Sequence, residues 1–316
     1  MLASCGGGDS GGTPPPTGGG GGGGTPTPSP SPTPTYQTFA QLTGNQTFRT
    51  TCAGTTFTIS SGLVTAAATP FGAGVTIGSN RDVPNYAITT DGAGLFGTFQ
   101  QNWAPADRDP AITTAEAYSR VNANNFTERF LTLSPLLGTS TYQYARFGQI
   151  ITQVNGDRVS LYCGFGVPTL LTDRPNTSVT FTNNFTAGDL SVTQNLGGGP
   201  RSDYVISSSQ ITLTGNPSTG AITVRVDLKG RLRTPTGTSD TVTDLGVFTG
   251  QVSIDGTTQS FSGTLVDASN GSSGQFGGWF FGPQGREAVV SFNIVNRRAD
   301  NSDILAGAVT FLNRPS

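Results

Sequence analysis

The run from Gly271 to Phe292, GSSGQFGGWFFGPQGREAVVSF, constrains this chain more than any other stretch. In an extended strand Phe276 and Phe280 fall on one face, with Gly277, Trp279 and Phe281 on the other. Gly282-Pro283-Gln284-Gly285 then reverses the chain, because proline fixes φ and glycine takes positive φ at no steric cost. Glu287 to Val295 returns with Ala288, Val290, Phe292 and Ile294 in period two. Glycine weakens a strand, so Gly274, Gly277, Gly278 and Gly282 among bulky rings mark places where rings lie over bare backbone. Such packing is how a small barrel closes.

Composition agrees. Of 316 residues, Gly supplies 45 and Pro 20, and only 34% are hydrophobic; richness in Thr, Ser, Gly, Val and Phe reads as all-β. The formal charge of −2 gives nucleic acid no purchase as a partner. Histidine is absent from the whole chain, which removes the usual general base, His-dependent triads and His-based metal sites. No Gly-rich loop leads into Lys-Ser or Lys-Thr for phosphate, and no carboxylate pair stands out for glycoside hydrolysis. The expectation is a protein that is not an enzyme and carries no cofactor.

Leu2-Ala3-Ser4-Cys5 has the pattern of a bacterial lipobox, in which Cys5 would become the acylated first residue of the mature protein. The basic and apolar regions that precede a lipobox are missing, so the expectation is a start upstream or a trimmed chain. Residues 1–35 continue as Gly-rich and then Thr/Pro/Ser-rich sequence that cannot bury a core, a disordered tether of the kind a lipid-anchored domain uses. With Cys5 acylated, Cys52 and Cys163 remain, and an even pair in an exported protein points to a disulfide. That bridge would tie the start of one domain to the beginning of the next. Two buried thiols or a metal pair are the alternatives, the latter poor without histidine.

From residue 36 to 160 short alternating runs are separated by turn signals: Thr55–Ile59, Tyr86–Thr89 before Asp91-Gly92, Leu95–Phe99, Phe130–Leu133, and Gln149–Val154 before Asn155-Gly156. Pro110 to Val121 is the one candidate for a short helix. The charged run Ala106-Asp107-Arg108-Asp109-Pro110 reads as a solvated loop. From 161 to 316 the strand signal strengthens through Val179, Phe181 and Phe185, then Leu190/Val192, Ile211/Leu213, Val252/Ile254, Phe261/Leu265 and Ile304–Phe311. In Ile222 to Leu232 the residues Ile222, Val224, Val226, Leu228 and Leu232 point one way, and Arg225, Asp227, Lys229, Arg231 and Arg233 the other. The basic face could attract an anion, although a wet barrel face explains it as well. Together these runs make about eight antiparallel strands, the number at which a barrel's interior is just filled by side chains. The apolar runs are mostly shorter than the about 9–11 residues an outer-membrane strand needs and show no paired aromatic girdles, so the expectation is not a membrane barrel.

The C-terminal residues carry a resemblance. Gly274, Phe276, Gly278, Phe280, Phe281, Gly282, Pro283 and Glu287 are similar to the G-x-F-x-G-x-F-[FY]-G-P-x-x-x-E hallmark of the β-barrel domain of transferrin-binding protein B and related bacterial surface lipoproteins. Phe261-Ser262-Gly263-Thr264 resembles that family's F-S-G-T strand, and Gly166-Val167-Pro168-Thr169 with Arg174-Pro175-Asn176-Thr177 resembles the segment leading into its barrel. Where the family places glycines after the Glu, this chain has Val289 and Val290, so packing under that strand must differ. The resemblance runs from Tyr162 to the end. It implies an eight-stranded antiparallel barrel over 161–316 preceded by a smaller β-rich handle-like domain over 36–160, as in a single-lobe relative. It further implies a cell-surface protein, lipid-anchored to the outer membrane, that captures an iron carrier, haem or another solute beside a TonB-dependent transporter. A structural or interaction lipoprotein of the same fold with no solute is the alternative. No ligand-binding residues can be carried over.

Overall fold

The computed structural model describes residues 35–91, 96–138, 140–175, 177–194, 200–216, 219–268, 273–298 and 300–314, with Pro34–Ser316 forming one compact unit. Cys5 and all but the last residue of the expected 1–35 tether lie outside the described residues, as do Gly271, Gly92 and Leu95. The first twelve strands are β1 (Asn45–Arg49), β2 (Thr51–Thr58), β3 (Leu63–Thr69), β4 (Val75–Asn80), β5 (Asn85–Thr90), β6 (Gln100–Trp103), β7 (Glu116–Val121), β8 (Thr127–Leu133), β9 (Leu136–Leu137), β10 (Ser140–Thr141), β11 (Ala145–Val154) and β12 (Asp157–Gly166). The remaining nine are β13 (Val179–Gln194), β14 (Arg201–Ile206), β15 (Gln210–Asn216), β16 (Ala221–Thr234), β17 (Gly237–Ser253), β18 (Phe261–Asp267), β19 (Ser273–Phe281), β20 (Glu287–Arg297) and β21 (Ser302–Asn313). Helix among the described residues is limited to three single-turn 3-10 segments.

Nineteen of the strands stack in three layers, and β9 and β10 form a separate two-stranded hairpin. A four-stranded sheet, β1-β4-β5-β6, packs on one face of a six-stranded sheet, β3-β2-β12-β11-β8-β7, around Phe39, Ile77, Tyr86, Phe130, Leu161 and Phe165. The other face of the six-stranded sheet lies against a closed nine-stranded sheet. Alternation along β12 makes this arrangement explicit: Val159, Leu161, Cys163 and Phe165 join the first core, while Tyr162 joins the second and Gly164 lies under Val289 of β20. A strand buried on both faces is what a middle layer requires. β12 runs through residue 160 and ends at Gly166, within the six-stranded sheet throughout.

Cys52 and Cys163 form a disulfide, directly opposite one another on the neighbouring strands β2 and β12, with Cα atoms 4.1 Å apart. It therefore cross-links two strands of one sheet instead of joining one domain to the start of the next. Pro110–Val121 is not helical. Its second half is β7, which pairs with β8 from Glu116↔Thr132 to Val121↔Thr127. Tyr118 is buried beside Tyr86 and Phe130, so cross-strand aromatic packing overrides a weak local helix preference. Phe96–Phe99 is not a strand either. Phe96 is a buried plug in the loop, and pairing resumes at Gln100 in β6.

The large sheet runs β14-β13-β15-β16-β17-β18-β19-β20-β21 and closes through a β13–β21 ladder from Thr182↔Asn313 to Gln194↔Ser302. Eight strands make the ring, and β14 is wedged between β13 and β16 at one end. The runs at Val179–Phe185 and Leu190/Val192 belong to one strand, bent by a bulge between Asn183 and Phe185. The interior is filled with side chains. Phe261 sits 5.4 Å from Phe280 and 6.4 Å from Phe276, and Phe181 lies 5.6 Å from Phe280. Val224, Val226 and Leu228 of β16 are fully buried, while Arg225 is exposed and Lys229 lies 3.6 Å from Asp227 on the outer face, as the alternation requires.

Candidate functional site

The glycine-aromatic motif builds the seam between barrel and six-stranded sheet. Phe276, Gly278 and Phe280 face into the barrel, where the bare Cα of Gly278 leaves room for the Phe261 ring of the paired strand. Gly274 takes a similar place against the backbone of Asn293. Trp279 and Phe281 face out, toward Phe71 of the loop after β3, at 3.9 and 6.1 Å between ring centroids. Gly277, on that same face, has the Cα of Pro70 3.0 Å from where a Cβ would stand. Both faces of this wall are buried: every residue from Glu287 to Ile294 and from Ser302 to Leu312 is buried. Two polar side chains on the outer face are satisfied across the seam. The Thr51 and Ser291 hydroxyls meet at 2.5 Å, and the Asn293 side-chain amide donates to the Ala66 carbonyl at 3.2 Å. Val289 fills the space over Gly164, which accounts for a valine where glycine was expected.

The turn of the motif anchors the entering segment. Gly282 has φ +70° and lies against the face of the Tyr144 ring, so neither its backbone nor its surroundings accept a side chain. Its amide donates to Val167 O at 3.0 Å, and its carbonyl accepts the Thr169 hydroxyl at 2.7 Å. Pro283 opens a 3-10 turn in which the Gln284 amide donates to Asp173 at 2.9 Å. Glu287 is 3% exposed and accepts the amides of Gln143, Tyr144 and Ala145 at 2.7, 3.0 and 2.7 Å. Burial pushes its carboxyl above the ordinary range, against the pull of those amides and of Arg286. The sequence-selected residues of 274–287 thus come together, with Phe261 and Val167–Thr169, as structural parts of one seam.

At the edge where β13 and β14 meet the six-stranded sheet, the seam opens into a cleft of about 420 Å³. Its apolar lining is Phe57, Val64, Ile151 and Leu190, from four strands of two sheets. Asp189 bridges the layers by accepting the Thr55 hydroxyl at 2.6 Å and the Tyr162 hydroxyl at 2.8 Å. Burial first, then the charge of Asp189, drives the Tyr162 phenol well above its usual value, so it remains a donor. Arg158, Arg201 and Arg233 converge on the cleft with Asp203; Arg201 pairs with Asp203 at 2.6 Å and its guanidinium lies 5.5 Å from the Phe57 ring centroid. No sequence signal marks this group, because its members lie on separate strands and only register and layer packing bring them together. The basic face read along β16 is divided, with Arg233 in the cleft and Arg225 on the open outer surface.

The run Ala106–Pro110 starts in the 3-10 turn Pro105–Asp107 and continues as a loop, and Asp107 and Asp109 accept the amides of Ala104 and Ala111. Among the described residues no group of three or more His, Cys, Asp or Glu is placed to hold a metal ion.

Comparison with known proteins finds no matching family model and no matching curated protein. It does find solved chains. A double mutant of transferrin-binding protein B from Haemophilus parasuis Hp5 matches at 15% identity and a TM-score of 0.42, covering 84% of this chain and 45% of that one. The apo haemoglobin receptor HpuA from Kingella denitrificans matches at 17% identity and a TM-score of 0.31, covering 74% and 83%. The N-lobe domain of lactoferrin-binding protein B from Moraxella bovis matches at 11% identity and a TM-score of 0.33, covering 87% and 100%. The chain spans 45% to 61% of the length of the first three transferrin-binding protein B chains it matches.

Proposed function

We propose that this chain is a surface binding protein that captures a partner on its outer face, with an iron-carrying protein as the favoured ligand. The observation that supports this is the filled barrel. Phe181, Phe248, Phe261, Phe276, Phe280 and Phe292 occupy the interior, and the cavity beside Phe280 at the barrel mouth has a volume of only about 40 Å³. A haem or comparable solute needs several hundred cubic ångströms, so a ligand is met by the outside of the molecule and not by the lumen. The doubly buried wall makes barrel and six-stranded sheet one stiff platform for loops at either end. In this reading the four- and six-stranded sheets, through the end of β12 at Gly166, are the handle-like part, and β13 to β21 the barrel. A lipid on Cys5 holds them at the outer membrane, beside a TonB-dependent transporter that takes over the cargo. Neighbouring names point to transferrin, lactoferrin and haemoglobin as ligands to try first.

The test is interferometry with immobilised protein against each of these three carriers, iron-loaded and iron-free. Saturable binding of one carrier is expected. If none binds, the capture reading gives way to a structural lipoprotein. Anchoring is tested separately: an alkyne fatty acid should label the chain exported behind a lipoprotein leader and not its Cys5→Ser variant. Equal labelling of both removes the anchor.

A further inference from the structure

We propose that the cleft between β13–β14 and the six-stranded sheet is a binding site for a small organic anion, one carboxylate or phosphate group on a planar apolar body. The charges are unbalanced in a specific way. Three guanidiniums, Arg158, Arg201 and Arg233, face two carboxylates, Asp189 and Asp203. Both carboxylates are already engaged: Asp189 accepts Thr55 and Tyr162, and Asp203 pairs with Arg201. Arg158 and Arg233 are left with no carboxylate partner among the described residues. Guanidiniums that line one cleft without an acid partner are suited to an incoming oxyanion, which each can hold through paired hydrogen bonds.

The body of the ligand follows from the walls. Phe57, Val64, Ile151 and Leu190 give the cleft apolar lining beside its arginines, with Arg158 directly across the ladder from Phe57. The volume of about 420 Å³ lies in the range of small-molecule sites and exceeds what a bare phosphate fills. Arg201, over the Phe57 ring, lines the same cleft and offers a flat cation against which an aromatic body would stack. The site lies on the outside of the barrel and is independent of the protein-capture reading.

Calorimetric titration of the full chain tests the assignment, with 2-naphthoate, 2-naphthyl phosphate, inorganic phosphate and 2-naphthylmethanol as probes. At least one naphthyl anion should bind at one per chain, and inorganic phosphate and the alcohol at least about tenfold more weakly. The pair of anions tells carboxylate from phosphate. Arg158→Gln with Arg233→Gln should weaken the anion at least about tenfold, while Arg225→Gln on the open face leaves it unchanged. Raising salt should weaken binding to wild type and have little effect on the double variant. Because both arginines are exposed, the variants are expected to melt as wild type does. The proposal is overturned if neither anion binds, if the double variant keeps wild-type affinity, or if phosphate or the alcohol binds as tightly as the naphthyl anions.

Discussion

The Glu287 carboxylate accepts the Ala145 amide at 2.7 Å, joining the start of β20 in the barrel to the start of β11 in the six-stranded sheet across 142 positions of sequence. Two more amides converge on the same carboxylate, so one side chain satisfies the backbone where β11 begins. Glu287→Ala leaves buried amides without an acceptor and should cost at least about 3 kcal/mol in urea unfolding. The pH dependence has a definite sign. A carboxyl raised on folding contributes stability below its unfolded value of about 4.5, and loses it as pH climbs through the folded value. The stability difference between wild type and Glu287→Gln should therefore favour wild type most at the acid end of that window and shrink toward neutrality. A difference that grows with pH refutes the direction of the shift.

Gly307 of β21 lies against the backbone of Gly54 in β2, so close that a Cβ there would overlap main-chain atoms. Backbone cannot swing aside as a side chain can. Gly307→Val should separate the layers and cost at least about 2 kcal/mol. Gly256→Ala, in a turn with open space around it, should change stability by less than about 0.5 kcal/mol. Thermal melts of the two variants check this, and equal effects would show that the contact does not set the spacing.

Inside and outside of the barrel are distinguished along one strand. Val226→Asp puts an unpaired charge into a packed interior and should unfold the protein or cost several kcal/mol. Phe280→Ala, removing a ring that touches Phe181 and Phe261, should cost roughly 3–5 kcal/mol. Arg225→Gln, between two buried valines, should be neutral within about 0.5 kcal/mol. Chemical unfolding that ranks Arg225→Gln as the most damaging would invert the assignment.

The bridge between Cys52 and Cys163 closes a long loop, with the two residues 111 positions apart, and both residues are fully buried. Cys52→Ala with Cys163→Ala should lower stability by about 2–5 kcal/mol, mainly by freeing the unfolded chain. Reductant added to the folded protein should leave the bond intact, and free thiol should appear only as the protein unfolds. Prompt reduction under native conditions would contradict the burial.

Period-two alternation in the sequence determined the all-β class, most of the strands, and the orientation of Val224, Val226 and Leu228 against Arg225 and Lys229. The glycines among the rings marked close packing, and the turn at 282–285 followed from proline and glycine chemistry. These are local properties, set by sterics within a few residues. Tertiary structure alone decided the rest. Ser291 and Asn293 alternate with the apolar positions of β20, yet they too are buried because a second sheet brings Thr51 and the Ala66 carbonyl to meet them. Tyr118 left a plausible helical run for an edge strand because Tyr86 and Phe130 offered more burial than a short helix could. The cleft of Arg158, Arg233 and Asp189 has no motif at all, since its charges meet only when β12, β13 and β16 are packed in register. Alternation tells each strand which face is apolar, but it carries no information about which polar face another layer will cover.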